Sequence, residues 1–141
     1  MSDEPESLTS ELRAVKPKFL TRTTFTDFNL PAEVLTGISE AGFTYCTPIQ
    51  AQTLPVSLAG GDVAGQAQTG TGKTAAFLVT IFTRLLAVTG REPGLPAALI
   101  VAPTRELANQ IYEEANFLGR HTGFKIAQVV GGIDYQRQAE I

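Results

Sequence analysis

The clearest chemistry in this sequence lies in a glycine-rich segment that carries one lysine and several hydroxyl groups. The segment consists of Ala67, Gln68, Thr69, Gly70, Thr71, Gly72, Lys73 and Thr74. The glycines let successive backbone N–H groups turn into one concavity, and a following helix would add its unpaired N–H groups and positive dipole end. Lys73 can reach the β- and γ-phosphates of a nucleotide, and the Thr74 hydroxyl can bind Mg²⁺. These residues predict a site for a nucleoside triphosphate, and an ordinary glycine-rich turn that caps a helix is the alternative.

The segments around this phosphate loop alternate between strand and helix patterns. Residues 63–66 resemble a short buried strand, residues 97–102 form an unbroken apolar run, and residues 125–130 form a third strand pattern. Apolar residues at helical spacing follow the first strand over 75–86 and the second over 107–118. This order predicts an α/β fold with a parallel sheet that has helices on both faces.

The first part of the chain is predicted to be a flexible, solvated tail over residues 1–24, with order beginning near Phe25. A first helix is expected from Pro31 to about Gly42. A second should have Thr47 as its N-cap and should end or kink at Pro55.

Composition limits the classes of protein to consider. The chain has 141 residues, of which 43% are hydrophobic and 18% charged, as in a single globular domain. It has no apolar run long enough to span a bilayer, and its acidic start lacks the pattern of a secretory signal. Cys46 is the one cysteine in the sequence, which excludes an internal disulfide. These features predict a cytoplasmic protein; the net charge of −3 neither favours nor excludes nucleic-acid binding.

Further segments resemble motifs of the DEAD-box RNA helicases. Residues 42–50 look like the Q motif of that family, residues 103–108 like its motif Ia, and residues 131–132 like its GG motif. The family's own form of the phosphate loop begins with alanine, as this loop does at Ala67. The resemblance covers residues 25–141 and implies the N-terminal portion of a RecA-like P-loop domain, incomplete at its C-terminus, that uses ATP, Mg²⁺ and RNA. Residues 46–51 and 62–70 are most similar to the bacterial RhlB type, which implies nucleases of the RNA degradosome as partners.

The Q motif would make a general nucleotide site selective for ATP. The Gln50 amide has one donor side and one acceptor side, which can pair with N6 and N7 of adenine. By resemblance, Thr47 helps to hold the motif against the phosphate loop, and Phe25 stacks on the adenine. The alternatives are a solvated helix residue for Gln50 and a core aromatic for Phe25.

Motif Ia and the GG motif imply contacts with the RNA backbone. Pro103, Thr104 and Arg105 follow the second predicted strand, where a hydroxyl, a guanidinium and helix N–H groups can converge on one phosphate. Gly131 and Gly132 would let RNA approach the backbone closely. The alternatives are a simple N-cap at Thr104 and a plain strand-to-helix turn at the glycines. His121 receives no role.

The sequence contains neither an Asp-Glu-Ala-Asp stretch nor a Ser-Ala-Thr motif. In the family the former supplies the carboxylates that position Mg²⁺ and the attacking water, so hydrolysis is expected to belong to a longer parent protein. We expect the 141-residue chain alone to show no RNA-stimulated ATP hydrolysis. Phosphate release that Lys73→Ala abolishes would contradict this. Other interpretations are a P-loop kinase or transferase, a DNA helicase of the same superfamily, and an inert RNA-binding remnant.

Overall fold

The computed structural model describes residues 19–90, 92 and 94–132 of the chain. Within them a 3₁₀ turn, Phe25–Asp27, precedes four α-helices. The helices are α1 (Ala32–Glu40), α2 (Pro48–Leu58), α3 (Lys73–Ala87) and α4 (Arg105–Leu118). All four coincide with helices predicted from the sequence. The helix predicted after Gly132 lies outside the described residues, as does most of the predicted tail.

Helix α3 occupies the centre of the packing, because it contacts α1, α2 and α4. Its buried face includes Leu78, Val79 and Phe82, each at most 4% exposed. Leu54 of α2 and Leu118 of α4 are also buried in this core. The phosphate loop leads directly into α3, so the best-packed helix of the described chain fixes the end of that loop.

Pro55 does not end α2, so that part of its predicted effect is wrong; a kink at Pro55 stays a prediction. Helix α2 continues through Pro55 to Leu58. A proline near the end of a helix removes one backbone hydrogen bond and crowds the preceding turn. Leu54 is fully buried beside it, and α2 packs along α3. We infer that this burial outweighs the local cost of the proline.

Residues 21–24, just before the predicted start of order near Phe25, are held by the Q-motif segment. The backbone N–H and the hydroxyl of Thr21 donate to the Cys46 carbonyl at 2.9 and 2.8 Å. The Cys46 N–H donates to the Thr23 carbonyl at 2.8 Å, and Thr24 forms an antiparallel bridge with Tyr45. Composition did not predict this pairing, since it depends on a partner far along the chain.

The largest correction concerns the three predicted strands. Residues 63–66, 97–102 and 125–130 form no strand within the part of the chain that is described. Leu99 and Val101 are 86% and 83% exposed, so the second segment is not buried. The third segment keeps the alternation of a strand, since exposed and half-buried residues take turns from Lys125 to Val130. An apolar run indicates a segment whose two faces are both covered by other residues. A strand also needs a neighbouring segment with which it forms backbone hydrogen bonds, and the run itself carries no information about that neighbour.

The ends of α1 and α4 are joined by an exposed ion cluster, which gives His121 a partner that the sequence did not predict. Glu40 Oε2 lies 2.8 Å from both Arg120 Nε and His121 Nε2. The hydrogen bond with His121 holds the pKa of Glu40 below its ordinary value of 4.5. Desolvation of the carboxyl raises this pKa, and the charge of Arg120 lowers it further.

This cluster predicts a pH-dependent contribution to stability. A carboxyl whose pKa is lowered by folding stabilises the protein above its unfolded pKa, and this contribution is lost as the pH falls through the folded pKa. We expect Glu40→Gln to lower the urea midpoint of unfolding slightly at pH 7, and this difference should shrink as the pH falls through the lowered pKa of Glu40. Glu113→Gln, on the exposed face of α4, is the matched control. Equal midpoints for wild type and Glu40→Gln at pH 7 would contradict the prediction.

Candidate nucleotide-binding site

The phosphate loop has the backbone geometry that its glycines predicted. Gly70 and Gly72 have φ angles of +79° and +82°, in the left-handed region that glycine adopts without strain. Gly72 is the N-cap of α3, so the loop passes straight into the helix. The Thr71 hydroxyl donates to the Gln68 carbonyl at 2.7 Å and closes the loop on itself.

The start of α3 offers the donors that a polyphosphate requires. The backbone N–H groups of Lys73, Thr74 and Ala75 have no backbone acceptor among the described residues, as is normal in a first helical turn. Within the same ranges the half-buried Thr74 hydroxyl forms no hydrogen bond with another residue. Its position beside these N–H groups fits the predicted role of a Mg²⁺ ligand.

Lys73 turns back over the loop. Its Nζ donates to the Ala67 carbonyl and, at 2.9 Å, to the Gln68 carbonyl. These contacts keep the ammonium group over the loop instead of extended into solvent. A cation held there lies where the β- and γ-phosphates are expected, and it can exchange carbonyl oxygens for phosphate oxygens.

Gln50 lies against the phosphate loop and contacts Gly72, which is 22 residues further along the chain. Its Nε2 donates to the Gly72 carbonyl at 3.1 Å, and its Oε1 accepts from the Thr47 N–H at 2.9 Å. The Thr47 hydroxyl donates to the Thr71 carbonyl at 2.7 Å. This hydrogen bond is consistent with the predicted role of Thr47, which is to hold the Q-motif segment against the loop.

The Gln50 amide also explains why residue 72 has no side chain. A Cβ added at Gly72 would overlap Gln50 Nε2 and would lie 3.1 Å from Gln50 Cδ. At Gly70, by contrast, a Cβ would meet nothing within 4 Å. Gln50 is only 4% exposed, which makes it the one buried polar side chain among the described residues. The solvated alternative for Gln50 is wrong.

Phe25 is placed in the core, as its alternative interpretation proposed. Its ring is 2% exposed and stacks on Phe43 with 6.4 Å between ring centroids. Adenine stacking by Phe25 stays a prediction, and it requires the ring to become accessible. The other predicted nucleotide-binding residues, from Ala67 to Thr74, lie together in the loop.

The predicted RNA-binding residues also meet, at the start of α4. Thr104 is the N-cap, and its hydroxyl accepts from the Leu107 N–H at 3.2 Å. Arg105 donates from Nη2 to the Gly131 carbonyl. Gly132 has a φ of +83°, and a Cβ there would lie 2.7 Å from Arg105 Nη2. Motif Ia and the GG motif are therefore in contact through Arg105, with Pro103 exposed beside them.

Sequence reasoning missed two parts of this site. The pattern Thr-x-x-Gln at residues 47–50 is a capping box, which would have predicted the bond between the Gln50 side chain and the Thr47 N–H. No local pattern signals the contact between Arg105 and Gly131, because it depends on how residues 124–130 return toward α4.

Comparison with known proteins agrees with this geometry. The sequence profile described as DEAD/DEAH box helicase matches residues 47–141, about two thirds of the chain. The chain belongs to the DEAD/DEAH box helicase family. In the described residues no helix is long and apolar enough to cross a membrane.

Two similar proteins are both named ATP-dependent RNA helicase RhlB. The one from Xanthomonas axonopodis pv. citri is 57% identical over 127 residues, which cover 88% of this chain and 22% of the relative. The one from Shewanella sediminis is 51% identical over 125 residues and is covered over 29% of its length. The predicted likeness to the RhlB type is confirmed, and the chain spans between a fifth and a third of these relatives.

Solved structures of the family match the fold. The RNA-helicase Prp28 from Chaetomium thermophilum, bound to ADP, gives a TM-score of 0.71 at 37% identity, over 85% of this chain and 29% of that one. A DEAD box protein from Methanococcus jannaschii gives 0.70 at 33% identity, over 83% and 31%. These matches confirm the predicted α/β fold class of RecA-like type.

Proposed function

We propose that this chain carries the ATP-binding segment and part of the RNA-binding surface of an ATP-dependent RNA helicase. The observation that carries the proposal is the contact of the Gln50 amide with the Gly72 carbonyl. This contact supports the proposal because it brings an amide that can pair with adenine next to the proposed phosphate loop. A kinase or transferase would also need the phosphate loop. That interpretation does not explain why a buried glutamine contacts the loop at this position.

The Gln50 amide retains the capacity to bind a base. One Nε2 hydrogen goes to Gly72 and one Oε1 lone pair accepts from Thr47. A second hydrogen and a second lone pair remain, since a side-chain amide has two donors and two acceptor sites. Adenine offers an acceptor at N7 beside a donor at N6, whereas guanine presents two acceptors on the same edge. The remaining groups of Gln50 therefore match adenine.

The loop residues would hold the rest of the nucleotide. Backbone N–H groups at the start of α3 and the Lys73 ammonium would bind the phosphates, and the Thr74 hydroxyl would bind Mg²⁺. The bound metal neutralises charge on the phosphate oxygens. Lys73 gives a fixed positive charge, and the glycines give room for close approach of the backbone.

The cluster of Thr104, Arg105, Gly131 and Gly132 would bind the RNA backbone. Its groups are a hydroxyl, a guanidinium and main-chain N–H groups, which recognise phosphate and carry no base preference. In the parent protein we propose that ATP binding closes two RecA-like domains over one RNA strand and that hydrolysis resets the cycle. A DNA helicase is separated from this proposal by comparing single-stranded RNA with DNA. The degradosome partners and the cytoplasmic location stay predictions.

Binding of labelled ATP and GTP to the 141-residue chain tests the proposed function. We expect wild type to prefer ATP, and Gln50→Ala to lose that preference with little change in the affinity for inorganic triphosphate. Equal binding of ATP and GTP by wild type would favour a kinase or transferase. RNA binding without any nucleotide binding would favour the inert remnant.

Arg105→Ala is expected to weaken single-stranded RNA binding about equally for unrelated sequences. The slope of log K against log salt should also become shallower by about 0.7, as for one lost phosphate contact to a single strand. Arg84→Ala, an exposed arginine at the end of α3, is the control. Equal losses in the two variants would contradict an assigned role for Arg105.

A further inference from the structure

The interface between α2 and α3 has polar contacts at both of its ends. At one end Thr47 and Gln50 donate to the Thr71 and Gly72 carbonyls. At the other, the hydroxyls of Ser57 and Thr80 lie 2.8 Å apart. The contacts follow the same order along both helices, so α2 and α3 run side by side in one direction. Ser57 lies two helical turns beyond Gln50, a distance of about 10 Å.

The two hydroxyls form a chain that leads back to the phosphate loop. Thr80 Oγ1 lies 3.0 Å from the Ala76 carbonyl and donates to it, so the Ser57 hydroxyl supplies the proton between Ser57 and Thr80. Ser57 has a longer alternative acceptor, the Leu54 carbonyl at 3.4 Å. Ala76 in turn donates its N–H to the Gly72 carbonyl at 3.1 Å. That carbonyl is also the acceptor for Gln50.

We infer that Ser57 and Thr80 are positioning residues for base recognition at the proposed ATP site. Their contact fixes how far α2 lies along α3, and this register sets where the Gln50 amide meets Gly72. The burial of Leu54 holds the helices together, whereas the hydrogen bond between Ser57 and Thr80 requires one register, because it forms only over a narrow range of distance and angle. The inference rests on the proposed function, since it concerns the same nucleotide site.

The neighbouring Thr53 provides a matched control. Its hydroxyl donates to the Ile49 carbonyl of its own helix at 2.7 Å, in the same way as Thr80 binds Ala76. Thr53 is half-buried and has no hydrogen bond to α3 among the described residues. Thr53→Val therefore removes a similar hydroxyl from α2 and leaves the register contact in place.

The test measures dissociation constants of methylanthraniloyl-labelled ATP and GTP for the 141-residue chain and its variants. We expect Ser57→Ala and Thr80→Val each to reduce the preference for ATP over GTP about threefold to tenfold, the value of one hydrogen bond. The affinity for GTP should not change. The double variant should be no worse than either single one, because both remove the same contact. Ser57→Thr should restore the preference, and Thr53→Val should keep it.

Two results separate failure of this inference from failure of the proposed function. Wild type with no preference for ATP overturns both. Wild type that prefers ATP, together with variants that keep this preference or lose ATP and GTP equally, overturns the positioning role alone. Urea unfolding of each variant identifies those that are folded. If Ser57→Ala is unfolded, the ATP preferences of Thr80→Val and Thr80→Ser are compared instead, because the first variant removes the hydroxyl and the second keeps it.

Discussion

Lys73→Ala should weaken the binding of ATP by at least about thirtyfold, because it removes the charge expected on the β- and γ-phosphates. The Lys73 ammonium lies over the loop, where it donates to the carbonyls of Ala67 and Gln68. In the described part of the chain Lys73 is the one lysine or arginine whose side chain donates a hydrogen bond to the loop. The change should be similar for ATP and GTP, since Lys73 is placed to meet phosphates and not the base.

Calorimetric titration with each nucleotide measures this effect. Lys125→Ala, which removes an exposed lysine that lies outside the loop in the sequence, should bind ATP like wild type. Unfolding by urea should show only a small loss of stability in Lys73→Ala, since its contacts are to exposed or half-buried loop carbonyls. If Lys73→Ala bound ATP as tightly as wild type, the loop would not be a phosphate site.

Gly72→Ala is expected to lower the free energy of unfolding by about 2–4 kcal/mol, from backbone strain and loss of the Gln50 contact together. An alanine at a φ of +82° is strained, and its Cβ would overlap the Gln50 amide. Gln50 is buried, so it cannot simply turn into solvent. The variant should also lose ATP binding, because the overlap displaces either the glutamine or the loop.

Gly70→Ala separates the two causes. Gly70 has nearly the same φ, +79°, but a Cβ there meets nothing within 4 Å. Its cost should be the strain alone, about 1–2 kcal/mol. Gln50→Ala in the Gly72→Ala background should recover part of the stability by making room. Equal losses for Gly70→Ala and Gly72→Ala, measured by urea unfolding, would mean that the Gln50 contact contributes nothing.

Local patterns predicted the helices and the phosphate loop well. The N-cap at Thr47, the glycines of the loop and the apolar spacing of α3 are each decided within a few residues of chain. Contacts between distant segments were not predictable in the same way. The pairing of Thr21 and Thr23 with Cys46 shows this, as does the bond from Arg105 to Gly131.

The predicted strands mark the other limit. The apolar run from Ala97 to Ala102 predicted a buried strand, but Leu99 and Val101 are exposed in the described chain. Burial of a strand depends on what lies beside it, and a single segment does not contain that information. At Pro55 a local signal for the end of a helix was present, but α2 continues past it to Leu58. Tertiary packing there outweighs the local preference of the residue.

In the proposed site one glutamine, fixed to the phosphate loop, reads the base whose phosphates the loop binds. Nuclear magnetic resonance of the labelled chain during titration with ATP and then GTP tests it most directly. We predict that ATP shifts both the Gln50 side-chain amide signals and the backbone N–H signals of residues 70–75, whereas GTP shifts the backbone signals and leaves the Gln50 amide nearly unchanged. Equal shifts of the Gln50 amide with both nucleotides, or none with ATP, would contradict the account.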